Sequence, residues 1–117
     1  MTIEQCYAQM GGSFAEVSAR LPSTRLIEKF VRKFPEDPSY GQLKQSLAEN
    51  CLADAFRAAH TLKGVAANLS FASLRRSASD LTELLRHAEG IPAQAQALFA
   101  QVTRDYEATL AAISQLD

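Results

Sequence analysis

The sequence predicts an all-α protein, an antiparallel up-and-down four-helix bundle with short N-terminal helices packed at one end, and three observations carry that reading. Apolar residues recur at spacings of three and four almost from end to end, the period of helices that bury one face. No stretch alternates apolar with polar residues at period two, and the β-branched residues are scattered. Hydroxyl residues, glycines and prolines punctuate the periodic segments where helices would start and stop. A chain of 117 residues has room for one such domain, expected over residues 1–117.

Thr2 with Gln5 and Ser13 with Glu16 match the capping box, in which a hydroxyl and an amide or carboxylate satisfy free backbone N–H groups. They predict two short helices. One presents Ile3, Cys6, Tyr7 and Met10 and stops at Gly11-Gly12; the other presents Phe14, Val17 and Leu21 and stops at Pro22. Ser23 can cap a third helix whose buried stripe is Leu26, Ile27, Phe30, Val31 and Phe34, with Glu28 and Arg32 paired one turn apart on the wet side. Pro35 interrupts it. Asp37-Pro38 then restarts helix with the acid as N-cap and the proline at the first helical position, so that Tyr40, Leu43 and Leu47 complete a kinked or broken rod.

The most regular segment runs from about Cys51 to Leu69, where Cys51, Ala55, Ala58, Leu62, Val65 and Leu69 step by four, three, four, three and four and define a core face. Ser70 can cap the next helix, with Leu69 and Leu74 as a hydrophobic staple that fixes a sharp reversal between two antiparallel helices. Phe71, Leu74, Ala78, Leu81, Leu85 and Ala88 make the second stripe. Gly90 ends that helix and Pro92 opens the last one, whose stripe is Leu98, Val102, Tyr106, Leu110 and Ile113.

Twelve Lys and Arg against thirteen Asp and Glu leave a net charge of −1, too weak a field to gather nucleic acid or anionic lipid. Neither a nucleic-acid nor a membrane partner is expected. Cys6 and Cys51 each suit an apolar position better than a disulfide or a metal site, which favours a reducing cytoplasmic setting. No phosphate-binding glycine loop, H-E-x-x-H, C-x-x-C or G-x-S-x-G motif occurs, so nucleotide hydrolysis, zinc chemistry and serine hydrolysis lack their parts.

The chemistry concentrates around His60. On a helical projection the imidazole lies opposite the Cys51–Leu69 stripe, on a face with Ala53, Phe56, Arg57, Lys63, Gly64 and Ala67, and should meet water. Gly64 costs about 1 kcal/mol relative to alanine in mid-helix and fills no core layer, which suggests that a side chain there would obstruct something. Lys63 can bring an ammonium group near anything bonded to the imidazole. His87, beside Arg86 near a helix C-terminus, suits the dipole and is given no function. Phe56 fits a core position as well as a docking one, and Arg75 and Arg76 read as a solvated face.

The run Ala59-His60-Thr61-Leu62-Lys63-Gly64, followed by Asn68-Leu69, resembles the signature of histidine phosphotransfer (HPt) domains, and the likeness covers roughly residues 13–116. Two departures stand out: the family usually has glycine where Ser70 stands, and an uninterrupted helix where this chain has Pro35 and Pro38. The resemblance implies a four-helix phosphocarrier in a multistep two-component relay, with no catalysis of its own. His60 would be the phosphoacceptor, Lys63 would contact the phosphoryl oxygens, and Gly64 would leave access for the partner. Ala53, Phe56, Arg57, Ala67 and Asn68 would dock a response-regulator receiver domain. A sensor histidine kinase is a further candidate partner, the protein is expected to be monomeric, and no cofactor is expected because the receiver would bring Mg2+ and the exchanging aspartate. The alternative is a non-phosphorylated helical adaptor that uses the same face to bind receiver or kinase domains.

Overall fold

In the computed structural model, which describes residues 1–117, the chain forms seven α-helices and one 3-10 turn. Helix α1 (Ile3–Met10) starts with the full capping box of Thr2 and Gln5 and ends at Gly11, whose φ of 75° gives the left-handed turn that glycine adopts most cheaply. Ile3, Cys6, Tyr7 and Met10 are all buried, as their spacing predicts. Ser13 caps α2 (Phe14–Arg20), where Val17 is fully buried and Phe14 and Leu21 are only partly covered.

Helix α3 (Thr24–Lys33) is capped by Ser23 and stops against Pro35, where Phe34–Glu36 tightens into a 3-10 turn. Helix α4 (Ser39–Ala48) resumes one residue later than expected: Pro38 is already helical in φ and ψ, and the Asp37 carboxylate accepts from the Ser39 N–H at 2.9 Å. The rod is therefore broken, and this shapes its surface. Phe30, expected in the buried stripe, is 43 % exposed, because the stripe narrows to Ile27, Val31 and Phe34 where the rod bends. The expected Glu28–Arg32 pair does not form; Arg32 instead donates to the backbone carbonyl of Asp117.

Helices α5 (Leu52–Asn68), α6 (Ala72–Arg86) and α7 (Ala95–Ser114) complete the four-membered bundle, in which α5 packs on both α4 and α6 and α6 packs on α7. Tyr40 of α4 closes the ring by stacking on Tyr106 of α7 at 4.0 Å between ring centres and bonding Thr103 at 2.9 Å. Helix α1 lies against α7, and the two chain ends meet where the Met1 ammonium pairs with Asp117 at 2.7 Å. The short N-terminal helices thus cap one end of the bundle, as predicted.

Three further sequence-based boundaries move. Ser70 does not cap α6; it takes φ 56° and finishes α5, with Phe71 N–H donating to Ala66 O and Ser70 N–H to Ala67 O, the paired bonds of a Schellman turn. A glycine would enter that conformation without strain; serine holds it here because Arg20 donates to its hydroxyl at 2.5 Å and to the Asn68 and Ala67 carbonyls at 2.8 and 3.0 Å. Helix α6 ends at Arg86, before Gly90, and α7 begins at Ala95, after Pro92, since residues 87–94 make an irregular connection with no capping side chain. Cys51 is half-buried just outside α5, with its thiol donating to the Asp54 carboxylate at 3.2 Å.

Tyr7 ties the N-terminal helix to this turn: its buried hydroxyl donates to Leu69 O at 2.7 Å, and burial pushes its pKa well above the ordinary tyrosine value. Removing that donor strands a buried carbonyl. Tyr7→Phe should cost about 1–3 kcal/mol, read as a fall of several degrees in thermal midpoint with the helical circular dichroism unchanged.

Candidate functional site

Helix α5 buries Ala55, Ala58, Ala59, Leu62 and Ala66, which turns the opposite face outward and fixes the position of every residue predicted there. His60 and Gly64 are exposed, and Lys63 is half-buried. Ala53, Arg57 and Asn68 are exposed, while Phe56 and Ala67 are half-buried, so all eight predicted site residues line the outer face or margins of one helix. The backbone is regular through the site; Thr61 bonds back to the Arg57 carbonyl at 2.9 Å, and Arg57 pairs with Asp54 at 3.1 Å.

Phe56 is half-buried. One edge packs against the core, and its ring lies parallel to the His60 imidazole, 4° between planes and 6.0 Å between centres. The hydrophobic ring restricts the rotamers open to His60 while leaving the imidazole in water. Gly64 is empty in a specific sense: a Cβ built on it would meet no atom within 4 Å outside its own helix. It satisfies no packing constraint, and the surface beside the imidazole is lowered by the absence of a side chain.

The sequence reading missed the contribution of α6. Arg86 places its guanidinium carbon 5.2 Å from the centre of the Phe56 ring and donates to both oxygens of Glu83, at 3.0 and 3.1 Å. The Arg86 hydrogen bond holds the Glu83 carboxyl below its ordinary pKa, and the positive charges of Arg86, Lys63 and His87 act in the same direction. Counting equal steps from the turn at Ser70 into both helices brings the Phe56 and His60 turns opposite the last turns of α6, a signal already present in the predicted hairpin. His87 is the C-cap of α6, and Arg75 and Arg76 are exposed and form no ion pair.

Towards the C-terminal end of α5, on the flank that carries Val65 and Asn68, a groove of about 690 Å³ opens between α5 and the bend of the broken rod; Phe30, Leu21, Val65 and Leu69 form its apolar walls, and Arg20 and Lys33 also line it. Nowhere do three or more His, Cys, Asp or Glu side chains come together in a way that could hold a metal ion. No helix is long and apolar enough to cross a membrane.

Compared with known proteins, residues 25–115 match the family model described as Hpt domain. No curated protein and no solved structure matches the chain.

The empty space above Gly64 makes its helical cost measurable. Gly64→Ala should raise stability by about 1 kcal/mol, seen as an increase of a few degrees in thermal midpoint; a destabilised variant would reveal a packing role that the surroundings of Gly64 do not suggest.

Proposed function

The chain belongs to the Hpt family, whose role is histidine phosphotransfer in phosphorelay signalling, and from that premise we propose that His60 accepts a phosphoryl group and exchanges it with the aspartate of response-regulator receiver domains. The observation that carries this reading is the exposed imidazole, stacked on Phe56, with Lys63 one turn away and open space at Gly64. A neutral imidazole keeps a lone pair and needs no dedicated base to attack. As the ring nitrogen forms its N–P bond, the acyl O–P bond breaks and its electron pair leaves on the receiver's aspartate carboxylate. The attacking nitrogen carries no proton, and the imidazolium that forms releases the proton of its second nitrogen to solvent.

Lys63 offsets part of the phosphoryl charge, which is close to two negative units at neutral pH. Its half-buried stem is flexible and its ammonium makes no hydrogen bond or ion pair, so it attracts the group without trapping it, and the transfer stays reversible. Magnesium and the acidic residues that hold it are assigned to the receiver. The chain acts as a phosphocarrier, not as an enzyme, and as a single domain over residues 1–117.

The receiver docks over Ala53, Phe56, Arg57, Ala67 and Asn68, an arrangement of small and apolar residues with polar ones at the margin that suits a transient interface. Gly64 lies within this surface and admits the receiver's active site close to the imidazole. A sensor histidine kinase can use the same face. The setting is cytoplasmic and the working form monomeric; the unpaired thiols of Cys6 and Cys51 are in keeping with a reducing compartment.

Phosphotransfer from an array of phosphorylated receivers tests the assignment. His60→Gln should fold normally and accept nothing, with the wild-type label acid-labile and alkali-stable; label that survives in this variant, or maps to His87, overturns it. Lys63→Ala should slow transfer several-fold without stopping it, since an exposed charge contact is worth about 1 kcal/mol or less. Gly64→Gln should melt no lower than the parent yet lose receiver docking and transfer together. Receiver binding without transfer from any donor would identify the chain as an adaptor.

A further inference from the structure

Arg86 and His60 are arranged against one ring. The guanidinium of Arg86 lies 5.2 Å from the centre of Phe56, and the imidazole of His60 lies parallel to that ring at 6.0 Å. Arg86 has no hydrogen-bond partner except Glu83, one turn earlier on α6, and both members of this pair are open to solvent. Lys63, from the facing helix, makes no hydrogen bond or ion pair of its own, and it lies close enough to favour the ionised form of Glu83. The Glu83 carboxylate is thus bonded by Arg86 and favoured by the charge of Lys63, and Arg86 shares the Phe56 ring with the candidate acceptor.

Building on the assignment of His60 as phosphoryl acceptor, we propose that Arg86 is a second phosphoryl-binding cation which Glu83 holds while His60 is unmodified, and which changes partner when the phosphoryl group arrives. A phosphoryl group offers three acceptor oxygens and up to about twice the charge of a carboxylate. The guanidinium fork fits either group in the same bidentate manner, so the exchange needs no new geometry at the arginine. An exposed pair spaced by three residues on a helix is weak and opens readily. The Phe56 face gives the guanidinium a favourable surface to occupy as it moves. Glu83 in this account imitates the phosphoryl group in the unloaded carrier, keeping the cation near the site and partly neutralised.

The test uses the intact protein and potassium phosphoramidate, a small anionic donor that requires no partner protein. Arg86→Gln should lower the initial rate of His60 labelling roughly two- to fivefold, the size of effect that one solvent-exposed charge contact supports. Glu83→Gln should raise that rate by a similar factor when Arg86 is present and leave it unchanged in the Arg86→Gln background. In 1H–15N spectra the Arg86 Nε–H resonance should shift on phosphorylation of the wild type and stay in place in identically treated His60→Gln.

An equal acceleration by Glu83→Gln in both backgrounds would mean that Glu83 acts only as a through-space charge, and would overturn the exchange. So would an Arg86 resonance that does not move, or an Arg86→Gln variant that melts lower but is labelled at the wild-type rate. These results leave the carrier assignment standing, because His60 is labelled in each. Failure to label wild-type His60 with either phosphoramidate or the receiver array overturns the acceptor assignment and this inference together.

Discussion

Arg20 reaches from α2 to the C-terminal end of α5, where one guanidinium nitrogen meets the Ala67 and Asn68 carbonyls and the Ser70 hydroxyl. Helix ends carry carbonyls without intrahelical partners and a partial negative charge, so a cation placed there both completes hydrogen bonds and favours the dipole. The same turn receives Tyr7 on Leu69 O and the Ser13 N–H on Ser70 O. With its end secured by three N-terminal residues, α5 has a fixed rotation about its own axis, and that rotation decides which of its faces meets water. Burying Ala55, Ala59 and Ala66 is what exposes His60 and Gly64. The order of dependence therefore runs from the Ser70 turn to the helix axis to the site.

Aromatic side chains supply much of the core in the absence of tryptophan. Phe99, Tyr40, Tyr106, Phe34, Phe71, Tyr7 and Phe14 form one continuous series of ring contacts, stacked at one end and edge-on through much of the rest. This series links α7 and α4, crosses through Phe34 of the 3-10 turn to the start of α6, and finishes in the N-terminal helices, so it joins parts of the chain that are distant in sequence. Offset and edge-to-face geometry adds a directional contribution to the area that these rings bury. Phe30 and Phe56 stand outside the series, one in the groove beside the end of α5 and the other under the imidazole. Phe56 still packs against the core from its margin, whereas Phe30 is the one large hydrophobic side chain left exposed.

Much of this was legible from periodicity and capping. The four residues assigned to the core face of α1 are all buried, and the face of α5 opposite its apolar stripe is the one that carries the exposed imidazole. What could not be read depended on tertiary contacts. Ser70 has the side chain of an N-cap, but a serine in the left-handed region is held there by an arginine fifty residues earlier, a compensation that no local pattern encodes. Glu28 and Arg32 have the spacing of a helical pair, yet Arg32 finds the backbone carbonyl of the last residue instead. Phe30 follows the apolar period of α3 and loses its cover because the rod breaks after it. Arg86 has a part in the site only through a ring on the facing helix, α5, so hairpin register can place it near the site but no pattern within α6 marks it out.

The parallel stacking of His60 on Phe56 bears on kinetics as well as on shape. A free surface histidine samples several rotamers and must give up that freedom at the moment of reaction, whereas a ring already held against its neighbour has surrendered part of it during folding. The gain is one of orientation: a larger fraction of encounters begins with the nitrogen lone pair aimed at an approaching electrophile. Phe56 carries no charge and forms no hydrogen bond with the imidazole, so its hold is nearly indifferent to what the nitrogen bears. In the proposed exchange, a constraint of that kind would act equally on gaining a phosphoryl group and on losing it, leaving the equilibrium between donor and acceptor where the charged groups set it.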